Sequence, residues 1–253
     1  VYRSAEKATG LCALTLGNFD GVHIGHQAVL RTLKDVAQER GLASLAMTFD
    51  PHPAVVHRPE HQPQLITGLD EKLARIAKTG VDATLVQPYS LEFADQSAEE
   101  FICWLAHDLG VRAIVVGRDV RFGRGNEGDL HTLQTVGKDY GVETVVAIDD
   151  LGDGEELSRV SSTHIRHLLL DGHVEDAARM LGEPHVVTGT VIHGNARGRE
   201  MGFPTANLGG DVQGLIPTDG VYAGWVYFAR GKHSALCLIY ISPTTRHYAL
   251  SYT

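Results

Sequence analysis

Residues 11–26 read LCALTLGNFDGVHIGH and decide much of the fold. Residues 11–16 form an apolar, strand-like run, and residues 27–40 continue as an amphipathic, helix-like segment. A strand, a glycine-rich turn and a helix start together present backbone N–H groups and a helix N-terminus, which is a geometry that binds phosphate. His23 and His26 are three residues apart, so their rings share a helix face and can reach one ligand. The stretch therefore predicts a phosphate site rather than a tight turn with two solvated histidines.

Short apolar runs alternate with helical patterns over the first 150 or so residues. The pattern predicts strands at residues 11–16, 44–49, 83–87, 113–116 and 144–148, and helices at residues 27–40, 70–79, 98–108 and 129–140. Continuous apolar strands separated by helices are typical of βαβ units and of a parallel sheet that is buried on both faces. Ligands of such sheets bind beyond the carboxyl ends of the strands, where the turn at residues 17–26 lies. We therefore predict an α/β fold with a parallel sheet.

The sequence changes character after two further predicted helices, one that begins at residues 160–166 and runs through residue 170, and one at residues 174–181. The run GEP at residues 182–184 breaks the helical pattern. Residues 185–193 then alternate branched and small side chains, and residues 220–228 are aromatic and β-rich, which favours a small antiparallel β-barrel or a fragment of one. We predict two domains, at residues 1–182 and 185–253.

Composition limits the classes of ligand and partner. The net charge of −9 argues against broad binding to nucleic acid or to an anionic membrane, and favours a small nucleotide held by local donors and a metal ion. No apolar stretch is long enough to span a bilayer, and no signal segment opens the chain. The three cysteines are widely separated, as expected for reduced thiols in a cytoplasmic protein. Whether the chain forms a homo-oligomer is left open.

Two motifs carry a family resemblance. Residues 17–26 resemble the long form, G-x-F-D-G-V-H-x-G-H, of the nucleotidyltransferase H-x-G-H signature, as it occurs in prokaryotic bifunctional FAD synthetases (riboflavin kinase/FMN adenylyltransferases). Ser161, Ser162 and Thr163 with Arg166 resemble the S-S-T-x-x-R motif that faces H-x-G-H across the ATP site in that family. Alone, the hydroxyl run would be read as a helix N-cap. The resemblance implies a Rossmann-like nucleotidyltransferase domain that transfers AMP from ATP to FMN, giving FAD and pyrophosphate.

The resemblance also implies roles for individual residues. His23 and His26 would contact the α- and β-phosphates as charge develops, and Arg166 would hold the leaving pyrophosphate. The ATP-binding set would be Gly17, Phe19, Asp20, Gly25, Ser161, Ser162 and Thr163. Because the FMN phosphate is already ionised at neutral pH, we expect catalysis by positioning and charge stabilisation, with Mg²⁺ bridging the phosphates.

Two segments resemble the flavin side of the same family. The run FDPHP at residues 49–53 implies that Asp50 and His52 bind flavin. The run GRDVRFG at residues 117–123 resembles the G-x-[ND]-F-x-F-G segment and implies the same for Asp119 and Phe122. Val120 replaces the usual aromatic residue, so no stacking role is expected there.

A zinc site is a weaker interpretation of the loop after the second strand. His52, His57 and His61 lie close together in sequence, but four prolines within residues 51–63 disfavour a helix that would align them. We therefore favour a flavin-side loop over a metal site.

The last third of the chain resembles a riboflavin kinase. The run GFPTAN at residues 202–207 matches the kinase motif in which Thr205 and Asn207 would bind Mg²⁺ and phosphate, and Gly194 and Arg199 belong to a loop that would cover the nucleotide. The family's catalytic glutamate lies well downstream, yet no Asp or Glu follows Asp219. Either the kinase half is inactive, or the barrel sequence is truncated or gapped. We favour the second interpretation, and we expect that this chain does not phosphorylate riboflavin.

Other functions remain as alternatives. A pantetheine-phosphate adenylyltransferase or a cytidylyltransferase shares H-x-G-H, but such enzymes are usually single α/β domains. A class I aminoacyl-tRNA synthetase is disfavoured by the acidic balance. A non-catalytic flavin-binding or regulatory protein is disfavoured by the intact phosphate motifs.

Overall fold

The computed structural model describes residues 1–3, 10–148, 160–193, 206–228 and 231–239. Their contacts divide the chain into two units. The first unit comprises Val1–Pro63 and Leu69–Ser161, and the second comprises Gln64–Gly68 and Ser162–Thr253. Each unit is described by itself.

A five-stranded parallel sheet forms the centre of the first unit. Its strands are β1 (Cys12–Leu16), β2 (Ala43–Asp50), β3 (Ala83–Pro88), β4 (Val111–Gly117) and β5 (Thr144–Ile148). They lie in the order β3-β2-β1-β4-β5, and every neighbouring pair is parallel. The strand order reverses between β1 and β4, so the carboxyl ends of these two strands flank the crevice where α/β sheets bind ligands. The predicted parallel α/β sheet is confirmed.

Six α-helices accompany this sheet in the described part of the first unit. They are α1 (Ile24–Arg40), α2 (Pro53–His57), α3 (Leu69–Lys78), α4 (Leu91–Ala94), α5 (Ala98–His107) and α6 (Leu130–Asp139). The sequence predicted the four longer helices with small errors at their ends, and missed the short helices α2 and α4.

Helix α1 begins three residues earlier than its pattern predicted. His23 is its N-cap residue, and the ring accepts a hydrogen bond from the backbone N–H of His26. The helix ends at Gly41, whose φ of 64° is a left-handed conformation that glycine adopts without strain. The early start places His26 inside the first turn of α1.

Side chains of β1 alternate between two apolar cores, one on each face of the sheet. Leu14 packs into a cluster that contains residues of α5 and α6, including Leu105 and Leu133. Ala13 packs into a second cluster with Leu33 and Val36 of α1. A fully buried leucine contributes about 2 kcal/mol to stability, so the two cores hold β1, and the loop that follows it, in a defined position.

Within the described residues, the second unit contains two helices and two antiparallel strand pairs. Helices α7 (Ser162–Leu170) and α8 (Val174–Leu181) bury an apolar cluster with Ile66 and Leu215. The antiparallel pairs are β6 (Val191–Ile192) with β7 (Asn207–Leu208), and β8 (Gly220–Phe228) with β9 (Gly231–Ile239). The antiparallel character predicted for this region is confirmed, and the closed barrel stays a prediction.

The domain boundary was predicted at residues 182–184. By their contacts, α7 and α8 group with the second unit, together with the short segment Gln64–Gly68 of the loop before α3. The pattern break and the contact grouping therefore mark different points of the chain, and the predicted domain limits stay a prediction.

All three cysteines lie among the described residues and are free thiols. Cys12 is buried, which raises its pKa to about 11. None of the helices that the structure describes is long and apolar enough to cross a membrane.

Candidate active site

The loop at residues 18–22 leaves the carboxyl end of β1 beside the strand-order reversal. Its backbone is left-handed at Phe19 (φ 48°), Gly21 (φ 80°) and Val22 (φ 46°). A positive φ is costly for a β-branched residue such as valine, and such conformations persist only where the surroundings impose them. Phe19 and Val22 are buried, so packing holds the loop in this conformation.

His23 and His26 form a stacked pair at the N-terminus of α1. Their ring centroids lie 3.6 Å apart, and the planes are inclined by 19°. His23 Nδ1 accepts a hydrogen bond from His26 N–H at 3.3 Å. A neutral His23 ring therefore carries its proton on Nε2, which can donate to a ligand. A Cβ atom on Gly25 would lie 3.1 Å from the His23 ring, so a glycine here leaves room for the stack.

Burial keeps both rings uncharged at neutral pH. It lowers the pKa of His23 to about 4. The pKa of His26 is lowered well below its ordinary value, first by burial and then by electrostatic interaction with His23 and with the charged Lys72. His26 Nδ1 is buried and has no hydrogen-bond partner among the described residues. Two neutral imidazoles at the positive end of a helix dipole form a site that a polyphosphate can enter.

The structure brings together six of the predicted residues in the first unit. They are Gly17, Phe19, Asp20, His23, Gly25 and His26. The Phe19 ring meets the His26 ring edge-on at 5.2 Å, and Asp20 is buried in the short 3-10 turn before α1. Gly17 N–H donates to the carbonyl of Met47 at 3.0 Å, which ties the start of the loop to β2.

The residues predicted to bind ATP and the leaving pyrophosphate through the S-S-T-x-x-R motif lie at the start of α7. Ser162 and Thr163 are in its first turn, directly after Ser161, and Arg166 Nε donates to the carbonyl of Gln64 at 3.0 Å. Ser162, Thr163 and Arg166 belong to the second unit. Their pairing with the histidines therefore stays a prediction.

The two flavin candidates that follow β2 lie at the carboxyl edge of the sheet. Asp50 is exposed at the end of β2. His52 is the N-cap of α2, and its Nδ1 accepts a hydrogen bond from Ala54 N–H at 3.1 Å. His57 Nε2 lies 2.9 Å from the Tyr89 hydroxyl. These two histidines therefore have structural partners.

The two flavin candidates that follow β4 have different surroundings. Asp119 is exposed, next to Gly117 at the end of β4. Phe122 is buried and packs 5.5 Å from the ring of Phe101, where a Cβ atom on Gly128 would collide with it. The ring of Phe122 thus belongs to the core beneath this loop, whereas Asp119 is open to a ligand. A flavin role for either residue stays a prediction.

The kinase candidates lie mostly outside the described residues. Gly194, Arg199 and Thr205 are not among them, and Asn207 is an exposed residue of β7. Within the described ranges, no three His, Cys, Asp or Glu side chains gather as metal ligands, the histidines after β2 included.

Sequence reasoning missed two buried basic residues of α3, Lys72 and Arg75. They are 5% and 2% exposed, and both donate to backbone carbonyls of the loop at residues 18–22. Their spacing in the sequence could have revealed them. Lys72 and Arg75 alternate with the apolar residues Leu73 and Ile76, so they lie on the same buried side of the helix.

The sheet order, with a histidine-bearing helix N-terminus at the point of strand-order reversal, defines a nucleotide-binding α/β protein. A family model described as FAD synthetase matches residues 5–164, and one described as riboflavin kinase matches residues 181–252. The chain therefore belongs to the FAD synthetase family.

Curated relatives are named bifunctional riboflavin kinase/FMN adenylyltransferase. The relative from Listeria monocytogenes is 39% identical over 83% of this chain and 66% of its own length. The relative from Escherichia coli K12 is 40% identical over 84% of this chain and 67% of its own length. The chain thus spans about two thirds of the length of these relatives.

A solved structure shares the fold over most of the chain. It is described as a macrolide-efflux protein from Streptococcus pneumoniae and is 32% identical, with a TM-score of 0.82. The match covers 93% of this chain and 77% of that chain.

Proposed function

We propose that the nucleotidyltransferase domain predicted at residues 1–182 transfers the adenylyl group of ATP to FMN, giving FAD and pyrophosphate. The observation that carries this proposal is the stacked pair of neutral histidines, His23 and His26, at the N-terminus of α1. The names of the curated relatives and the FAD synthetase match support the same reaction.

The reaction exchanges one phosphorus–oxygen bond for another. An FMN phosphate oxygen forms a bond to the α-phosphorus of ATP, and the bond from that phosphorus to the oxygen bridging the β-phosphorus breaks. The electron pair leaves with pyrophosphate. No proton has to be removed from the attacking phosphate, because it is ionised at neutral pH. The protein's contribution is therefore alignment of the two substrates and stabilisation of the charge that develops on the phosphate oxygens.

His23 and His26 suit that task because they are neutral, buried and fixed before the substrate arrives. The Nε2–H of His23 is a fixed donor, since Nδ1 is held by the N-cap hydrogen bond. A polyphosphate beside the pair favours the protonated form of either imidazole. Each ring can therefore carry more positive charge, through a proton that it binds or donates, as the phosphates become more negative. Donors that are fixed in a water-poor site need no reorganisation during the reaction.

Mg²⁺ is proposed as part of the substrate MgATP. ATP oxygens would supply hard ligands of the kind that Mg²⁺ prefers. In the second unit we propose a riboflavin kinase barrel that includes β6 to β9, in which Thr205 and Asn207 bind the metal and Gly194 and Arg199 cover the nucleotide. The riboflavin kinase match at residues 181–252 supports this proposal. For an enzyme of FAD synthesis we propose a cytoplasmic location, with small molecules as substrates and with neither nucleic acid nor a membrane as partner.

The test is formation of FAD from FMN, ATP and Mg²⁺, followed by chromatography with fluorescence detection. His26→Ala removes a phosphate-facing ring, and loss of one such donor costs ~3 kcal/mol, or roughly a hundredfold in rate. FMN binding, measured by quenching of flavin fluorescence, should be almost unchanged. His131→Ala replaces an exposed histidine of α6 and serves as the control. Near-normal turnover by His26→Ala would remove the histidine pair from the mechanism, and absence of FAD formation by the unmodified chain would reject the proposed function.

A further inference from the structure

Helix α3 carries two buried cations one turn apart, Lys72 and Arg75. Charged side chains are seldom this buried unless they are paired or hydrogen-bonded. Arg75 Nε donates to Glu71 Oε1 at 2.7 Å, and its Nη1 donates to the carbonyl of Gly21 at 3.2 Å. Lys72 Nζ donates to the carbonyls of Asn18 at 3.3 Å and Phe49 at 3.5 Å. Both cations therefore bind the backbone of the loop that precedes the histidines.

The contacts fall at both ends of the strained part of the loop. Asn18 precedes the left-handed residue Phe19, and Gly21 precedes the left-handed residue Val22. The Thr48 hydroxyl makes a second hydrogen bond to the Asn18 carbonyl, at 3.2 Å. Donors from α3 and β2 thus hold a conformation that this backbone would not keep by itself.

The loop in turn positions the catalytic rings. Phe19, which is held between the two anchored carbonyls, places its ring edge-on against His26. His26 stacks on His23 and supplies the N–H that fixes the tautomer of His23. A displacement of the loop would therefore move the Phe19 ring and, through its contact with His26, the stacked rings.

Lys72 is also linked to the site by charge. Burial lowers the pKa of Lys72, while the carboxylates of Asp20 and Asp50 act in the opposite direction. Its positive charge in turn disfavours protonation of His26. The same residue thus anchors the loop and helps to keep a stacked ring neutral.

We propose that Lys72 and Arg75 are positioning residues for adenylyl transfer: from α3 they hold the loop at residues 18–22, so that Phe19 keeps the stack of His23 and His26 at the start of α1. This inference rests on the proposed function. It adds a pair of residues that act through the loop and need not touch either substrate.

Lys72→Met tests the proposal, because methionine is similar in size and removes both the charge and the two hydrogen bonds. We expect kcat for FAD formation to fall roughly ten- to hundredfold, the range that small misplacements of reacting groups produce. The KM for FMN should stay within about threefold of the wild-type value, since a positioning defect affects the reacting geometry more than flavin binding. Lys78→Met, at an exposed position of the same helix, is the matched control and should leave both constants unchanged.

A second readout does not depend on turnover. The ring ¹⁵N and ¹³C NMR signals of His23 and His26 should shift in Lys72→Met and keep their positions in Lys78→Met. Unchanged histidine signals, or a wild-type kcat in Lys72→Met, would overturn the proposal. If the unmodified chain forms no FAD, the proposed function fails, but the NMR comparison still decides whether Lys72 positions the rings.

Thr48→Val is the second variant, for use if Lys72→Met does not fold. It is uncharged and nearly isosteric, and it removes the other side-chain donor to the Asn18 carbonyl. We expect the same histidine signals to shift and kcat to fall about threefold or more, which is less than for Lys72→Met because the lysine contact remains. Wild-type histidine signals and kcat in Thr48→Val would then reject the proposal.

Discussion

Acidification protonates His23 in the unfolded chain long before it does so in the folded protein. The ordinary pKa of 6.5 falls to about 4 on folding because the ring is buried. Between these two values the unfolded state binds the extra proton, so the free energy of unfolding decreases as the pH falls from 6.5 towards 4. Each pKa unit corresponds to about 1.4 kcal/mol, so between pH 7 and pH 4.5 this proton equilibrium lowers the free energy of unfolding by about 2 kcal/mol.

His23→Asn isolates this contribution. Asparagine is a good N-cap residue and does not titrate, so the variant keeps a capped α1 while removing the proton equilibrium. The loss of unfolding free energy between pH 7 and pH 4.5 should therefore be smaller in His23→Asn than in the wild type, by about 2 kcal/mol. The lowered pKa of His26 also decreases the free energy of unfolding on acidification, in the variant as in the wild type. Its contribution therefore largely cancels when the two proteins are compared.

Urea unfolding followed by far-UV circular dichroism at each pH measures these free energies. His131→Asn, at an exposed position of α6, controls for the removal of a histidine. The variant and the wild type should differ in pH dependence, whatever their difference in stability at pH 7. Equal losses in both proteins, within about 0.5 kcal/mol, would show that His23 is not a buried neutral imidazole.

Three further predictions concern other parts of the chain. Arg166→Lys keeps the charge but loses the bidentate fork, so FAD formation should fall roughly a hundredfold; an unchanged rate would remove Arg166 from the proposed pyrophosphate site. Phe122→Ala should lower the free energy of unfolding by about 3–5 kcal/mol, measured by urea unfolding, because the ring packs against Phe101 in the core; a loss below 1 kcal/mol would contradict its burial. In a protein that carries Cys103→Ser and Cys237→Ser, Cys12 should react with Ellman's reagent at pH 8 only after denaturation, because its thiol is buried and its pKa is raised. Full reaction of Cys12 in the native protein would contradict this prediction.

The sequence pattern predicted the central sheet well because its strands are continuous apolar runs. Such runs have few alternatives to burial between helices, so all five strands were found within three residues of their observed ends. The short helices α2 and α4 were missed because four or five residues do not complete a periodic pattern. Helix α1 starts early because a histidine side chain acts as its cap, whereas cap prediction relies on Ser, Thr, Asp and Asn.

The surroundings of individual side chains were less predictable than the helices and strands that carry them. Phe122 was expected to bind flavin because of its motif; its ring packs against Phe101 in the core, and its flavin role stays a prediction. His52 was a flavin candidate and is the cap of α2. For Phe122 another element, α5, determines the surroundings, and motif letters do not contain that information.

The sequence by itself determined that a glycine-rich turn with two histidines follows the first strand of a parallel α/β sheet. It could do so because local spacing sets both the strand–turn–helix geometry and the shared face of the two rings. Only the tertiary structure decided that the rings are stacked and neutral, and that the loop before them is held by Lys72 and Arg75. The physical reason is that burial and hydrogen bonding depend on residues more than fifty positions apart in the chain, which meet only when α3 packs against the loop after β1.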